Sequence, residues 1–196
     1  AQGGSVLRGM TVESLRVEGG RCVGVNARGP EGNVAMNARA VVIADGGFPC
    51  NAELIRRHIC ARPERLLVRA AAGGDGEGIR MAEEAGAATG GFGAFYGHLH
   101  HRDALHNERL WPYPHFDSIA VTSLLLGPDG RRFTDEGLGG VCLSNALAKL
   151  DDPLSAVLVF DDAVWQGAPA RARPVGPNPY LQSGGGTLWS ASTLAD

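Results

Sequence analysis

The stretch Ala40–Phe48 decides the fold and reads A-V-V-I-A-D-G-G-F, an uninterrupted apolar run that ends in an acid and two glycines. A continuous apolar run predicts a strand covered on both faces, because a strand with one wet face alternates apolar and polar residues. Gly46 and Gly47 would let a ligand approach the backbone without a Cβ in the way. On this motif alone, a tight strand-to-helix turn is the simpler explanation.

A second glycine-rich segment, Gly73–Ala85, reads G-G-D-G-E-G-I-R-M-A-E-E-A and runs into a helix predicted over residues 76–88. Free backbone N–H groups at the start of a helix suit an anion. Asp75 and Glu77 argue against a bare phosphate cradle, because their carboxylates would repel phosphate. A carboxylate can instead accept hydrogen bonds from ribose hydroxyls, as in dinucleotide sites. Acids that only cap a solvated helix start explain the same residues equally well.

The rest of the pattern predicts an α+β fold. Alternating residues and glycine-containing turns predict an amino-terminal β-meander with strands at Thr11–Val17, Cys22–Ala27 and Val34–Ile43. Periodicity and turn signals then predict helices at Ala52–Ile59, Val141–Leu150 and from Asp161, and strands at Ile119–Leu126, Arg131–Phe133 and Ala156–Phe160.

Composition argues against several functions. Net charge is −3, from 18 basic and 21 acidic residues, and no Lys/Arg run stands out, so nucleic acid is not an expected partner. No apolar run is long enough to span a bilayer. Four cysteines without C-x-x-C spacing predict reduced thiols in a cytoplasmic protein. The chain opens with Ala-Gln-Gly-Gly and no initiator Met, so we interpret it as an internal piece of a longer chain.

Residues 89–118 are rich in glycine, histidine and aromatic residues, and five of the six histidines lie between residues 98 and 115. Such a segment predicts a loop, where functional residues often gather. Histidine can act as an acid or base, or donate a hydrogen bond to a carboxylate. His98, His100 and His101 could also bind a metal, but no carboxylate or cysteine has convincing spacing, so no metal site is expected. A polar loop with hydrogen-bonded imidazoles is the alternative.

The stretch Phe133-Thr134-Asp135-Glu136 follows the predicted hairpin. Glu136 is a candidate for a carboxylate aimed into a cleft. The alternative is that Thr134 caps a turn while the acids interact with a helix dipole.

Taken in order, V-V-I-A-D-G-G-F, G-E-G-I-R-M-A-E-E-A-G-A, an aromatic-histidine segment and D-G-R-R-F-T-D-E resemble the fumarate reductase/succinate dehydrogenase flavoprotein family. This family includes soluble fumarate reductases, 3-ketosteroid dehydrogenases and tricarballylate dehydrogenase. The resemblance covers roughly residues 11–165, and the order and spacing of the motifs carry it.

The resemblance implies FAD as cofactor and two domains. Residues 1–48, the β-meander and the A-D-G-G strand, would be the last part of the first segment of a split, Rossmann-type FAD-binding domain. Residues 49–196 would form a mixed α+β substrate-capping domain that is truncated at its end. The missing amino- and carboxy-terminal parts of the same chain would then be its partners.

The resemblance also implies roles for individual residues. Val12 matches a backbone contact to the adenine end of FAD. The further cofactor-binding positions that it implies are Asp45, Gly46, Gly47, Glu77 and Gly78. His98 falls where fumarate reductases carry a histidine for the substrate carboxylate, and His115 and Glu136 are the other catalytic candidates.

Two departures from the family pattern matter. Fumarate reductases place a proton-donating arginine a few residues after R-F-x-x-E, whereas this chain has Gly137–Gly140 there, with Gly140 at the arginine position. The family's Thr-Glu pair has no clear match either, and His115 or Asp117 is the candidate to replace it. Fumarate is therefore not the expected substrate.

The resulting hypothesis is an FAD-dependent dehydrogenase or reductase that transfers hydride between flavin N5 and a small organic acid or enone. The isolated chain is expected to be inactive. A non-catalytic binding module with a cap-like fold is the alternative. A lyase or isomerase that uses the histidines without redox chemistry is a further one.

Overall fold

The computed structural model describes residues 3–171 and 176–193. It has a mixed α and β structure that divides into two compact units. Unit 1 consists of the chain up to Asn51 together with Ala70–Gly91, and unit 2 consists of Ala52–Arg69 together with the chain from Phe92. The domain boundary expected at residue 48 stays a prediction.

The strands are β1 (Thr11–Glu18), β2 (Arg21–Gly29), β3 (Gly32–Asn37), β4 (Leu124–Leu126) and β5 (Val157–Val159). The helices are α1 (Ala52–His58), α2 (Glu77–Glu84), α3 (Asp117–Ala120), α4 (Gly140–Ala148), α5 (Asp162–Arg171) and α6 (Pro177–Ser183). Short 3₁₀ turns lie at Pro63–Arg65, Arg102–Leu105, Glu108–Leu110 and Glu136–Leu138.

Unit 1 is built on the predicted β-meander. Strands β1, β2 and β3 form an antiparallel sheet in sequence order, because each is joined to the next by a short turn. Helix α2 is tied to the edge strand by Arg80, whose guanidinium donates to the Glu13 carbonyl at 3.2 Å.

The strand predicted to continue from Val34 to Ile43 is wrong in its second half. Strand β3 ends at Asn37, and residues 40–44 have no regular structure. Val42 is 87% exposed. An apolar strand of the buried type needs hydrogen-bonded neighbours on both sides, and no strand in the described part of the chain pairs with it.

Unit 2 packs helices against a two-stranded sheet in which β4 and β5 run antiparallel. Its core is centred on Leu110, Ile119, Leu143 and Leu181, each at most 1% exposed. The strand predicted over 119–126 is only partly correct, since α3 precedes β4. A helical turn places Ile119 and Ala120 in the core together, with both backbone N–H groups bonded to the Phe116 carbonyl.

The predicted hairpin after β4 is reduced to a turn. Gly130 donates to the Gly127 carbonyl, and the returning segment makes one isolated bridge between Leu126 and Arg132. No strand therefore forms at Arg131–Phe133.

Residues 92–116 are mostly irregular, as predicted. Their polar side chains bind the segment after α6: Asp103 accepts hydrogen bonds from the Thr187 N–H and hydroxyl, and Asn107 donates to the Gly184 carbonyl at 2.9 Å. Among the described residues, no helix has the length and apolar character needed to cross a membrane.

Candidate functional site

The histidine-rich loop of unit 2 brings His98 and Asp117 together. His98 Nδ1 lies 2.6 Å from Asp117 Oδ2, and the Leu99 N–H donates to Asp117 Oδ1 at 3.0 Å. Asp117 is the first residue of α3, and both side chains are about one-quarter exposed. The pair therefore combines a carboxylate and an imidazole at a site that a small molecule can reach.

Two further imidazoles surround this pair. The ring of His115 stacks on that of His98 with centroids 4.6 Å apart, and the ring of His100 lies 6.2 Å from that of His115. Burial, and then the neighbouring imidazoles, lower the pKa of His100 to about 4. Burial also lowers the pKa of His115, although Asp117 opposes the shift. Both rings are therefore neutral at pH 7.

His98, His100, His115 and Asp117 form a cluster, and a guanidinium and two tyrosine rings lie around it. The guanidinium of Arg69 lies 5.1 Å from the centroid of the Tyr113 ring and donates to its hydroxyl at 3.1 Å. The Tyr113 ring is in turn 5.8 Å from that of His115, and Tyr96 packs edge-on against His98 at 5.1 Å. A guanidinium beside imidazoles favours a ligand with a carboxylate or carbonyl oxygen.

Potential metal ligands are also gathered here, since donor atoms of His98, His115 and Asp117 lie within 4.8 Å of one another. The 2.6 Å separation between His98 and Asp117 is a hydrogen-bond distance. Two ligands about 2 Å from a shared zinc ion would lie roughly 3 Å or more apart. We therefore interpret the cluster as hydrogen-bonded.

Glu136, the third predicted catalytic residue, lies in a different set of contacts. Its side chain is 5% exposed, accepts the Leu125 N–H at 2.8 Å and pairs with Arg132. The Arg132 hydrogen bond lowers the pKa of Glu136 to about 2. Within the described residues, no hydrogen bond or ion pair joins it to His98 or His115. These contacts are those of a carboxylate that braces the turn after β4.

In unit 1, the predicted cofactor residues Asp45 and Gly78 are in direct contact. Asp45 Oδ2 accepts the Gly78 N–H at 2.7 Å, in the first turn of α2. A Cβ at Gly78 would lie 2.3 Å from the Asp45 carboxylate, so only glycine fits. The helix start predicted to bind an anion is thus capped by an acid of the chain itself.

Glu77, also predicted to contact the cofactor, is exposed at the first position of α2 and pairs with Arg80 at 2.6 Å. This hydrogen bond lowers the pKa of Glu77. Its carboxylate is ionised at pH 7, and an ionised carboxylate can accept hydrogen bonds from ribose hydroxyls.

Gly46 and Gly47 present bare backbone. Apart from the adjacent residues, no atom of the described chain lies within 4 Å of a Cβ built at either position, and Gly46 has a φ of +95°. Val12 is 38% exposed on edge strand β1. Open glycine backbone beside a helix that carries an acid at its start is compatible with a nucleotide cofactor.

Two residues of the cluster were not assigned a role from the sequence. Asp117 was considered only as a replacement for a missing family pair, and His100 only as a possible metal ligand. The P-H-F-D-S order, with an acid at the start of a helical turn, is the available signal for Asp117, but its pairing with His98 depends on tertiary contacts.

Comparison with known proteins gives a matching family and a set of similar solved structures, which includes two dehydrogenases. The family described as FAD binding domain matches residues 2–152. A comparison with curated proteins found no match.

One similar structure is 3-ketosteroid-Δ4-(5α)-dehydrogenase from Rhodococcus jostii RHA1 in complex with 4-androstene-3,17-dione. Its sequence is 24% identical to that of this chain, and the two structures superpose with a TM-score of 0.57. The match covers 83% of this chain and 31% of that chain. Another is 3-ketosteroid Δ1-dehydrogenase from Sterolibacterium denitrificans in complex with 1,4-androstadiene-3,17-dione. Its sequence is 20% identical to that of this chain, with a TM-score of 0.60. The match covers 86% of this chain and 30% of that chain.

The chain thus spans less than a third of the length of either dehydrogenase, and the likeness to them is one of fold. The family match covers most of the chain and agrees with the motif order that runs from the glycine-ended apolar segment to D-G-R-R-F-T-D-E. The chain belongs to the FAD binding domain family, and its cofactor is FAD.

Proposed function

We propose that the protein is an FAD-dependent dehydrogenase or reductase that moves a hydride between flavin N5 and a carbon activated by a neighbouring carbonyl or carboxylate. The cofactor, when bound, supplies a two-electron acceptor or donor. The substrate class is a small organic acid or an enone.

The observation that carries this proposal is the His98–Asp117 pair, with His115 stacked on it and Arg69 nearby, in a chain of an FAD-binding family. Neutral and protonatable imidazoles beside a guanidinium can bind and polarise a carbonyl or carboxylate oxygen. Arg69 would attract that oxygen, His98 would face the reacting carbons, and His115 would lie against the His98 ring.

We also propose the two-domain organisation that the sequence predicts. Residues 1–48 would contribute to a split FAD-binding domain, and Val12, Asp45, Gly46, Gly47, Glu77 and Gly78 would line the cofactor. Residues 49–196 would contribute to a substrate-capping domain that excludes water from the reaction. Four free thiols support a cytoplasmic location.

Glu136 has less support as a catalytic residue, because its carboxylate is already occupied by Leu125 and Arg132. A role in bracing the capping domain accounts for its burial and its contacts.

The full-length protein tests the proposal directly. Purified protein should carry FAD, visible in its absorption spectrum. Under anaerobic conditions, 4-androstene-3,17-dione as an enone probe or tricarballylate as an organic-acid probe should bleach the oxidised flavin. His98→Ala should abolish bleaching while leaving the flavin content unchanged, and His106→Gln, at an exposed histidine of the same loop, should behave as wild type.

Protein without flavin would contradict the proposal and favour the binding module. Protein that carries flavin but transfers no electrons with either probe would contradict the substrate class. Turnover of a probe by flavin-free protein would favour the non-redox lyase or isomerase.

A further inference from the structure

Residues 116 and 117 hold the His98–Leu99 segment with three hydrogen bonds. The Asp117 carboxylate accepts hydrogen bonds from His98 Nδ1 at 2.6 Å and from the Leu99 N–H at 3.0 Å. The Phe116 N–H donates to the Leu99 carbonyl at 2.8 Å. Leu99 and Phe116 are buried in the core of unit 2. The ring of His98 is therefore held through its backbone and its side chain together.

These bonds also determine which nitrogen of His98 carries hydrogen. An ionised carboxylate can only accept, so Nδ1 must donate to Asp117 and the neutral ring has its lone pair on Nε2. Nε2 makes no hydrogen bond to any residue that the structure describes. It is thus available to a bound molecule, and the Asp117 charge would balance an imidazolium formed by protonation there.

Gly140 shows that this carboxylate position is built into the fold. A Cβ at residue 140 would lie 2.1 Å from Asp117 Cγ and 2.4–2.5 Å from both carboxylate oxygens. The backbone of Gly140 has no positive φ that would itself require glycine. Its missing side chain makes room for Asp117 against the first turn of α4, where the helix dipole favours an anion.

The two other imidazoles near His98 lack its carboxylate partner. Among the described residues, neither the His100 ring nor the His115 ring hydrogen-bonds a carboxylate, and burial lowers the pKa values of both, that of His100 to about 4. Arg69 lies near these two rings as a fixed cation, and Tyr96 touches the edge of the His98 ring. Asp117 is the acid that faces the ring.

We propose that His98 exchanges a proton with the substrate through Nε2 and that Asp117 is the positioning residue that holds its ring and tautomer. This inference rests on the hydride transfer proposed above. It names the group that handles the proton in that reaction.

The oxidative direction requires the substrate to lose a proton and a hydride from two neighbouring carbons. The carbon next to the activating carbonyl or carboxylate loses a proton to His98 Nε2, and the electron pair of that C–H bond forms the new C=C bond. Bound FAD would supply the two-electron acceptor for the hydride of the neighbouring carbon. His98 becomes an imidazolium that still donates Nδ1–H to Asp117. Reduction reverses each transfer.

The first test is spectroscopic and does not depend on turnover. Nitrogen NMR of the full-length protein labelled at histidine should show His98 with hydrogen on Nδ1 and an unprotonated Nε2. Asp117→Asn should reverse or mix this tautomer, because an amide can donate to Nδ1. Asp117→Glu should retain it in part, and His106→Gln should leave it unchanged.

The second test is kinetic, on the same variants with equal flavin content. Asp117→Asn should lower kcat for 4-androstene-3,17-dione or tricarballylate by about 10²- to 10⁴-fold, with KM changed by less than about threefold. Asp117→Glu should recover part of kcat. A purely structural Asp117 would instead lower flavin content and stability and leave kcat per flavin unchanged.

The outcomes separate the two proposals. Wild-type protein with hydrogen on Nε2 of His98, or Asp117→Asn protein with unchanged tautomer or unchanged kcat per flavin, overturns this inference. Wild-type protein that carries no flavin, or exchanges no electrons with either probe, overturns the proposed function and the proton role with it. Even in that case, the nitrogen NMR measurement of the His98 tautomer shows whether Asp117 positions the His98 ring.

Discussion

The carboxylate of Glu136 accepts a hydrogen bond from the backbone N–H of Leu125 at 2.8 Å. The same carboxylate pairs with Arg132, so one buried side chain joins strand β4 to the turn that follows it. The sequence makes this acid a catalytic candidate, because it is the last residue of the stretch R-R-F-T-D-E, which directly follows the predicted turn. Its contacts make it a structural group whose effect is best measured as stability.

Glu136→Gln should reduce the free energy of unfolding by about 1–3 kcal/mol at pH 7, because a buried charge-assisted bond is weakened and Arg132 loses its partner. Urea unfolding followed by circular dichroism measures the change. Glu108→Gln, at an exposed acid of unit 2, should change stability by less than about 0.5 kcal/mol.

The pH dependence of the same variant follows from the sign of the shift. Glu136 has its pKa lowered from 4.5 to about 2 in the folded chain. Its stabilisation is therefore fully present above pH 4.5 and is lost as pH falls toward 2. The stability difference between wild type and Glu136→Gln should shrink over this interval. A difference that stays constant would contradict the assignment.

His100 should make the protein sensitive to mild acid. Its pKa is lowered from 6.5 to about 4 by burial, so the unfolded chain binds a proton more readily than the folded one. Stability is complete above pH 6.5 and falls as pH drops toward 4, by at most about 1.4 kcal/mol per pH unit for one proton. His100→Phe should flatten this slope, whereas His106→Gln should keep it.

Gly140→Ala should displace the Asp117 side chain while leaving residue 117 itself unchanged. The new Cβ would overlap the carboxylate, so we expect a loss of about 1–3 kcal/mol in stability and a weakened His98–Asp117 bond. Thermal unfolding and the His98 tautomer report the two effects. Gly93→Ala is the matched control, because no atom lies within 4 Å of a Cβ there. Equal effects at both positions would show that the overlap is not the cause.

Gly47→Ala tests the cofactor site. Its Cβ would enter open space, so the stability of the flavin-free protein should be unchanged. If the cofactor lies against this backbone, FAD should bind at least about tenfold more weakly, which corresponds to about 1.4 kcal/mol. Fluorescence titration of flavin-free protein with FAD measures the affinity. Gly90→Ala, equally open but outside the predicted site, should bind FAD as wild type; equal affinity of the two variants would remove Gly47 from the site.

Local signals predicted the elements whose causes are local. The alternation and the Gly-containing turns before Asn37 were enough for the three-stranded meander, because consecutive strands joined by tight turns pair with each other. Segment Ala40–Ala44 behaved differently. Its composition predicts a buried strand, and that prediction is wrong, because a strand forms only when neighbouring strands supply hydrogen bonds and the segment's own composition does not determine whether they do.

The sequence by itself determined the family and the cofactor, because motif identity and order are properties of the chain, and it predicted a site in the histidine-rich loop. Tertiary structure alone decided that His98 is held by Asp117, nineteen positions away, that Gly140 makes room for the pair, and that Glu136 braces a turn. Such pairings arise when the core around Leu99 and Phe116 packs. Distances between side chains far apart in sequence depend on that packing and leave no periodic trace in the chain.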